Sequence, residues 1–205
     1  MKENYQAFVE RMIGRYEGGY GWNANDPGGP TKYGITCYDL AEYLGEKMTS
    51  MSAWAPRVRA MTLTTADEIY KKKYASACRF DDLNSGCDCV VFDFGVNSGP
   101  SRAVKYSQMI VGTAADGILG PITLGAINSM DPASFINKLC DARLAFLRRL
   151  GTWGTFGRGW SARVRDLRQY SLALITPPEV AKAEPENKEQ RIHLAFAKGT
   201  EEAAA

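Results

Sequence analysis

The sequence predicts a mainly α-helical chain, interrupted near residues 20–36 by a short β-hairpin or extended loop. Three observations carry that expectation. Apolar residues recur at helical spacing along most of the chain, as at Tyr5, Phe8, Val9, Met12, Ile13 and Tyr16. Helix start and stop signals punctuate these stripes, and strand signal is sparse throughout. With 205 residues, 45% hydrophobic and 23% charged, the chain is long enough to bury a real core as one compact domain or two small ones.

Taken in order, the first helix covers residues 5–16 and should stop at Gly18-Gly19. Thr36 followed by Asp39 reads as an N-cap for a second helix over about 37–45, and Thr65 with Glu68 as a capping box for a third. "CDCVVFDFGVNSGP" places Cys87, Val90, Val91 and Phe94 on one face, then closes in Ser-Gly-Pro so that Pro100 opens the next helix. "DGILGPIT" repeats the device, with a turn at Asp116-Gly117 and Pro121 at a first helical position. After Asp131-Pro132, an apolar face runs from Phe135 to Leu150, and a last helix is expected over Trp160–Leu172. From residue 176 the chain turns polar and proline-containing, the composition of a tail.

Composition narrows the chemistry. The one histidine, His193, lies in that polar tail. Zinc peptidases need two or three histidines and Ser-His-Asp or Cys-His hydrolases need one beside the nucleophile, so a hydrolase of this sequence must work with carboxylates. Five cysteines at irregular spacing, with no CxxC pair, read as reduced, buried thiols rather than a disulfide framework or zinc site. No metal or cofactor is expected, no nucleotide-binding glycine motif is present, and nucleic acid is not an expected partner. The first residues carry a charge every few positions and hold no signal-peptide block, and no membrane span follows, so synthesis in the cytosol is expected. Residues 138–168 hold eight Lys/Arg against Asp141 and Asp166, which makes them a candidate face for an anionic partner or simply a solvated helix surface.

The stretch "YEGGYGWNANDPGGPTKYGIT" (residues 16–36) is where chemistry concentrates. Glu17 continues the stripe of Val9 and Ile13 into the last turn of the first helix, where desolvation and the negative end of the helix dipole both raise a carboxyl pKa. A carboxyl still protonated near neutral pH can serve as a general acid; the alternative is a solvent-facing helix end. Asp26, in a turn rich in backbone N–H groups, should stay ionised and either orient water or cap the "DPGG" turn. Tyr20, Thr31, Tyr33 and Thr36 bring hydroxyls to the same glycine-lined stretch. Asp93 and Asn97 lie four apart on one helix face, placed either to hold sugar groups or to tie helices together. Trp22, Trp153 and Trp160 are candidates for stacking on sugar rings or for the core.

These residues resemble glycoside hydrolase family 108, a lysozyme-like group of N-acetylmuramidases. "EGGYGWNANDPGGPTKYGIT" matches its signature, and "IYKKKYASACRFDDL", "VVFDFGVNSGPSRAVKY", the peptidoglycan-binding-type "DGILGPIT" and "GRGWSARV" follow in the family's order, over residues 5–172. The resemblance implies a lysozyme-like helical fold and hydrolysis of the β-1,4 bond between N-acetylmuramic acid and N-acetylglucosamine, with Glu17 as the catalytic glutamate. It gives Asp26 the second carboxylate's place, similar to the Glu-x8-Asp spacing of phage lysozymes, and leaves Thr31 and Thr36 both open as the assisting threonine.

The expected organisation is a muramidase region at 1–97, a helical peptidoglycan-binding-type region at 98–175 packed into the same unit, and the tail at 176–205. Peptidoglycan strands are the expected partner of a monomer, and the basic segment 138–168 is a candidate contact for anionic envelope components. A phage endolysin released to the wall through holin pores is the expected role, beside a bacterial muramidase for toxin export or wall remodelling. Two other chemistries stay open: a lytic transglycosylase and a non-catalytic peptidoglycan-binding module.

Overall fold

The computed structural model describes residues 3–16, 19–22 and 28–175. Helix α1 (Glu3–Tyr16) buries the stripe Tyr5, Phe8, Val9, Met12 and Ile13. Three two-residue strands follow: β1 (Tyr20–Gly21), β2 (Thr31–Lys32) and β3 (Ile35–Thr36). They form one antiparallel sheet in that order, with Tyr20 opposite Lys32 and Lys32 opposite Ile35. The β2–β3 turn is Tyr33-Gly34, both at positive φ (52° and 73°), as a two-residue hairpin turn requires. Tyr33 is held in this uncommon conformation partly by the Tyr70 hydroxyl, which donates to its carbonyl at 2.6 Å.

Helix α2 (Cys37–Leu44) begins at the expected cap. Thr36 Oγ1 accepts from the Asp39 N–H at 3.2 Å, the Asp39 carboxylate accepts from the Thr36 N–H at 3.0 Å, and Gly45 closes the helix in the left-handed region. A helix not expected from the sequence follows, α3 (Met51–Ala60), capped by Ser50 and burying Trp54 and Val58. Its Pro56 disguises it, because proline removes an interior helical hydrogen bond. Helix α4 (Leu63–Ile69) corrects a second expectation: its N-cap is Thr62, whose hydroxyl accepts from the Thr65 N–H at 3.1 Å, and not Thr65. Glu68 accepts instead from the Tyr43 hydroxyl. With the start at Thr62, Ala66 and Ile69 fall on one buried face, and the chain continues into a π-helical stretch, Tyr70–Ala75.

Helix α5 (Cys87–Ser98) is the centre of the molecule and is buried at every position from Cys87 to Gly95. A helix buried all round, Asp88 and Asp93 included, must be covered on all sides, and α6, α8, α9 and the π-helical stretch do so. Gly86 precedes it at φ +80°, where a Cβ would sit 2.4 Å from the Ser171 carbonyl oxygen. Helices α6 (Pro100–Val111), α7 (Pro121–Ser129) and α8 (Pro132–Arg148) each open on the expected proline. Helix α9 (Trp153–Ile175) starts seven residues before the expected Trp160. Gly154, Gly157 and Gly159 weaken its signal in the sequence, but Gly157 has a packing reason: a Cβ there would lie 2.7 Å from the Trp153 indole.

The "DGILGPIT" segment is organised by one buried amide. Gln108 Nε2 donates to Asp116 (2.7 Å), the Ile118 carbonyl (3.0 Å) and Thr123 (3.2 Å), while its Oε1 accepts from the Gly117 N–H at 2.9 Å. All five cysteines are buried, and none is in a disulfide. Burial pushes the Cys78 thiol up to about 12 and the Cys140 thiol to about 11. Among the described residues no helix is long and apolar enough to cross a membrane.

Candidate active site

Glu17 and Asp26 lie outside the described residues, so the site is built from what flanks them. Tyr16 ends α1 immediately before Glu17, and β1 begins at Tyr20. The small sheet therefore takes up the chain at Tyr20, three residues after the candidate acid, and again at Thr31. Along α1, a groove of about 430 Å³ has an apolar floor of Val9, Ile13 and Leu63 with Glu10 and Asp67 at its edge. A second groove of about 430 Å³ opens between β1 and α3.

The sheet's polar residues are mostly engaged. Thr31 Oγ1 donates to the Gly21 carbonyl at 3.4 Å, tying β2 to β1. Thr36 is the cap of α2, its hydroxyl 2.7 Å from the Asp39 carboxylate. Tyr33 is half-buried with Lys32 Nζ 5.0 Å above its ring, and the Tyr20 ring carries the Arg59 guanidinium at 4.6 Å. Lys32 Nζ also donates to the carbonyls of Arg59 and Met61, both at 2.8 Å, so one cation satisfies the C-terminal end of α3 and fixes it to β2. Trp22 is 43% exposed.

Asp93 and Asn97 share a helix but not an environment. Asn97 is exposed near the end of α5. Asp93 is 2% exposed and sits between two guanidiniums: Arg143 Nη1 donates to Oδ2 at 2.6 Å and Arg163 Nη2 to Oδ1 at 2.8 Å. Burial alone would raise this carboxyl; the guanidiniums of Arg163 and Arg143 overcome it and hold the pKa at about 2. The geometry gives Asp93 the task of tying α5 to α8 and α9, and a carboxylate so enclosed does not reach an open cleft. The same two arginines correct the reading of 138–168 as one cationic face, because both point into the core, and Arg168 is tied to Asp141. Trp153 and Trp160 are half-buried and pack with each other at 6.2 Å between ring centroids, with Phe156 5.6 Å from Trp160.

Residues 11–99 match the family model described as Glycosyl hydrolase 108, and residues 102–165 match one described as Predicted Peptidoglycan domain. The solved structure of SagA from Brucella abortus is 41% identical, with a TM-score of 0.76, over 84% of this chain and 98% of that one. The chain belongs to glycoside hydrolase family 108. It is therefore a glycoside hydrolase of a peptidoglycan-hydrolysing family, and its second half carries a peptidoglycan-binding-type domain. No curated protein matches it.

Within this family 108 enzyme the sequence reading missed three residues that shape the site region. Arg59 and Lys32 meet across β1, β2 and α3, and nothing in local spacing brings residues 20, 32 and 59 together. In the sequence Arg163 is indistinguishable from surface charge, and only its burial against Asp93 separates it from the exposed Arg165 two positions on. Among the described residues no cluster of His, Cys, Asp and Glu is arranged to hold a metal ion.

Proposed function

We propose that this enzyme is an N-acetylmuramidase that hydrolyses the β-1,4 bond between N-acetylmuramic acid and N-acetylglucosamine, with Glu17 as general acid. The observation that carries the proposal is the position of "EGGY" inside the matched segment 11–99, directly after the last residue of α1. A carboxyl at a helix C-terminus feels the negative end of the dipole, which favours its protonated form. Glu17 gives its proton to the glycosidic oxygen as that oxygen leaves the sugar carbon, and a water molecule supplies the hydroxyl that replaces it, its other proton passing to a carboxylate of the site so that Glu17 is reprotonated for the next turnover. Asp26 orients that water or balances positive charge at the sugar carbon. Tyr20, Thr31 and Tyr33 line the approach from the sheet, and Asn97, exposed on α5, stays a candidate contact for the strand.

Digestion of purified sacculi tests this. Wild type should release fragments with reducing muramic ends, and Glu17→Gln should lose turnover by about a thousandfold or more while keeping its fold. Anhydro-muramic ends in the mass spectrum would instead make it a lytic transglycosylase, and a fully active Glu17→Gln would remove the assignment. We read the cellular task as host lysis by a phage endolysin, with access to the wall through holin pores. The bacterial source of the SagA structure favours a second role, a bacterial enzyme acting in wall remodelling or toxin export. A holin gene beside this one supports the first role, and an export or envelope operon supports the second.

A further inference from the structure

The groove between β1 and α3 is lined by Tyr20, Trp22, Ser52, Ala55, Pro56 and Arg59, and among the described residues no acidic side chain enters it. Three of its features are complementary to different parts of one ligand. Trp22 is 43% exposed, and its indole is an apolar plate of the kind on which the C–H face of a sugar ring stacks. Arg59 lies over the Tyr20 ring, which fixes its direction, and among the described residues it forms no ion pair. Its neighbour Arg57 differs, because both terminal nitrogens bind the Glu46 carboxylate at 2.6 and 2.7 Å. Pro56 supplies the third feature. It has no N–H, so it gives the Ser52 carbonyl no helical bond, and Ser52 is one of the residues that line the groove.

An indole plate, a cation with no carboxylate partner among the described residues and a backbone carbonyl without its usual helical partner together fit a sugar that bears an acid and an amide. In peptidoglycan that sugar is N-acetylmuramic acid, whose lactyl group ends in a carboxylate or continues into a stem peptide carrying carboxylates of its own. Its acetamido N–H and hydroxyls match the carbonyl. The groove's place along the chain suits the same strand: Tyr20 follows Glu17 by three residues, which span at most about 11 Å. The Lys32 clamp on the end of α3 keeps the two walls in register.

We propose that this groove is a subsite for a muramyl residue, with Trp22 beneath the sugar ring and Arg59 on its carboxylate. The proposal rests on the muramidase reading, which supplies the strand. Binding is measured by calorimetric titration in the Glu17→Gln background with three ligands: amidase-treated glycan strands with free lactyl carboxylates, the same strands with stems, and a neutral N-acetylglucosamine oligomer.

Adding Arg59→Gln should weaken binding of at least one anionic ligand by about fivefold or more and leave the neutral oligomer unchanged. Loss confined to stem-free strands identifies the lactyl carboxylate, and loss confined to stem-bearing strands identifies the peptide. Trp22→Ala should weaken all three ligands. Unchanged affinity for both anionic ligands in Arg59→Gln, an equal loss on the neutral oligomer, or an indifferent Trp22→Ala each overturns the subsite. Failure of the muramidase reading appears elsewhere, as turnover of sacculi by Glu17→Gln without the groove substitutions, so the two results are read separately.

Discussion

At the scale of single residues, Asp93 concentrates the largest electrostatic stake described. Replacing its carboxylate with an amide leaves two guanidiniums buried around a neutral group, and breaking such an arrangement costs roughly 3–5 kcal/mol. Urea denaturation at neutral pH should show a loss of that size in Asp93→Asn. The pH dependence has a definite sign. Because the folded pKa is depressed, the stabilisation is complete above the ordinary carboxylate value and is lost as pH falls from about 4 toward about 2. The stability gap between wild type and Asp93→Asn should therefore narrow across that window, and a gap that stays constant would separate Asp93 from the acid sensitivity. The sequence held all three members, but Arg143 and Arg163 lie 50 and 70 residues from Asp93, beyond any periodicity argument. Glu17 is the opposite case: its neighbours at Val9 and Ile13 and the glycines after it make its candidacy legible within a single stretch.

Among the elements, the helices that were legible are those whose stripe and end signals agree. Helices α6, α7 and α8 announce themselves by Gly-Pro, Gly-Pro and Asp-Pro, and α2 by Thr36 with Asp39. Helix α3 was invisible because its proline argues against the helix that its Ser50 cap and buried Trp54 and Val58 support. That concealed element forms one wall of the candidate muramyl groove, so the unread part of the fold was also the unread part of the site. The entry to α5 gives the clearest test of an element boundary. Gly86 combines a positive φ with backbone 2.4 Å from where a Cβ would stand, and carbonyl oxygen cannot swing aside as a side chain does. Gly86→Ala should cost at least about 2 kcal/mol in a denaturation midpoint experiment. A control at Gly125, where a Cβ meets nothing within 4 Å, should lose far less.

Across the whole molecule, the two matched segments meet at residues 99–102, yet the packing does not divide there. Helix α5, from the first segment, is covered by α6, α8 and α9 from the second. Helix α1 reaches across as well: Arg11 binds Asp166 at 2.7 Å, and Phe8 packs on Tyr170 with ring centroids 5.5 Å apart. The intact chain should unfold in one calorimetric transition, and a fragment ending at Gly99 should show no cooperative transition, because α5 would expose most of its apolar surface. Two independent transitions would show the halves to be separate folding units. The buried thiols carry one last consequence. Cys37, Cys78, Cys87, Cys89 and Cys140 are distributed over both segments, and burial keeps Cys78 and Cys140 from forming thiolate at neutral pH. Because all five thiols are buried, transfer of the folded enzyme from a reducing to an oxidising medium should leave it without a new crosslink, which non-reducing electrophoresis would read directly.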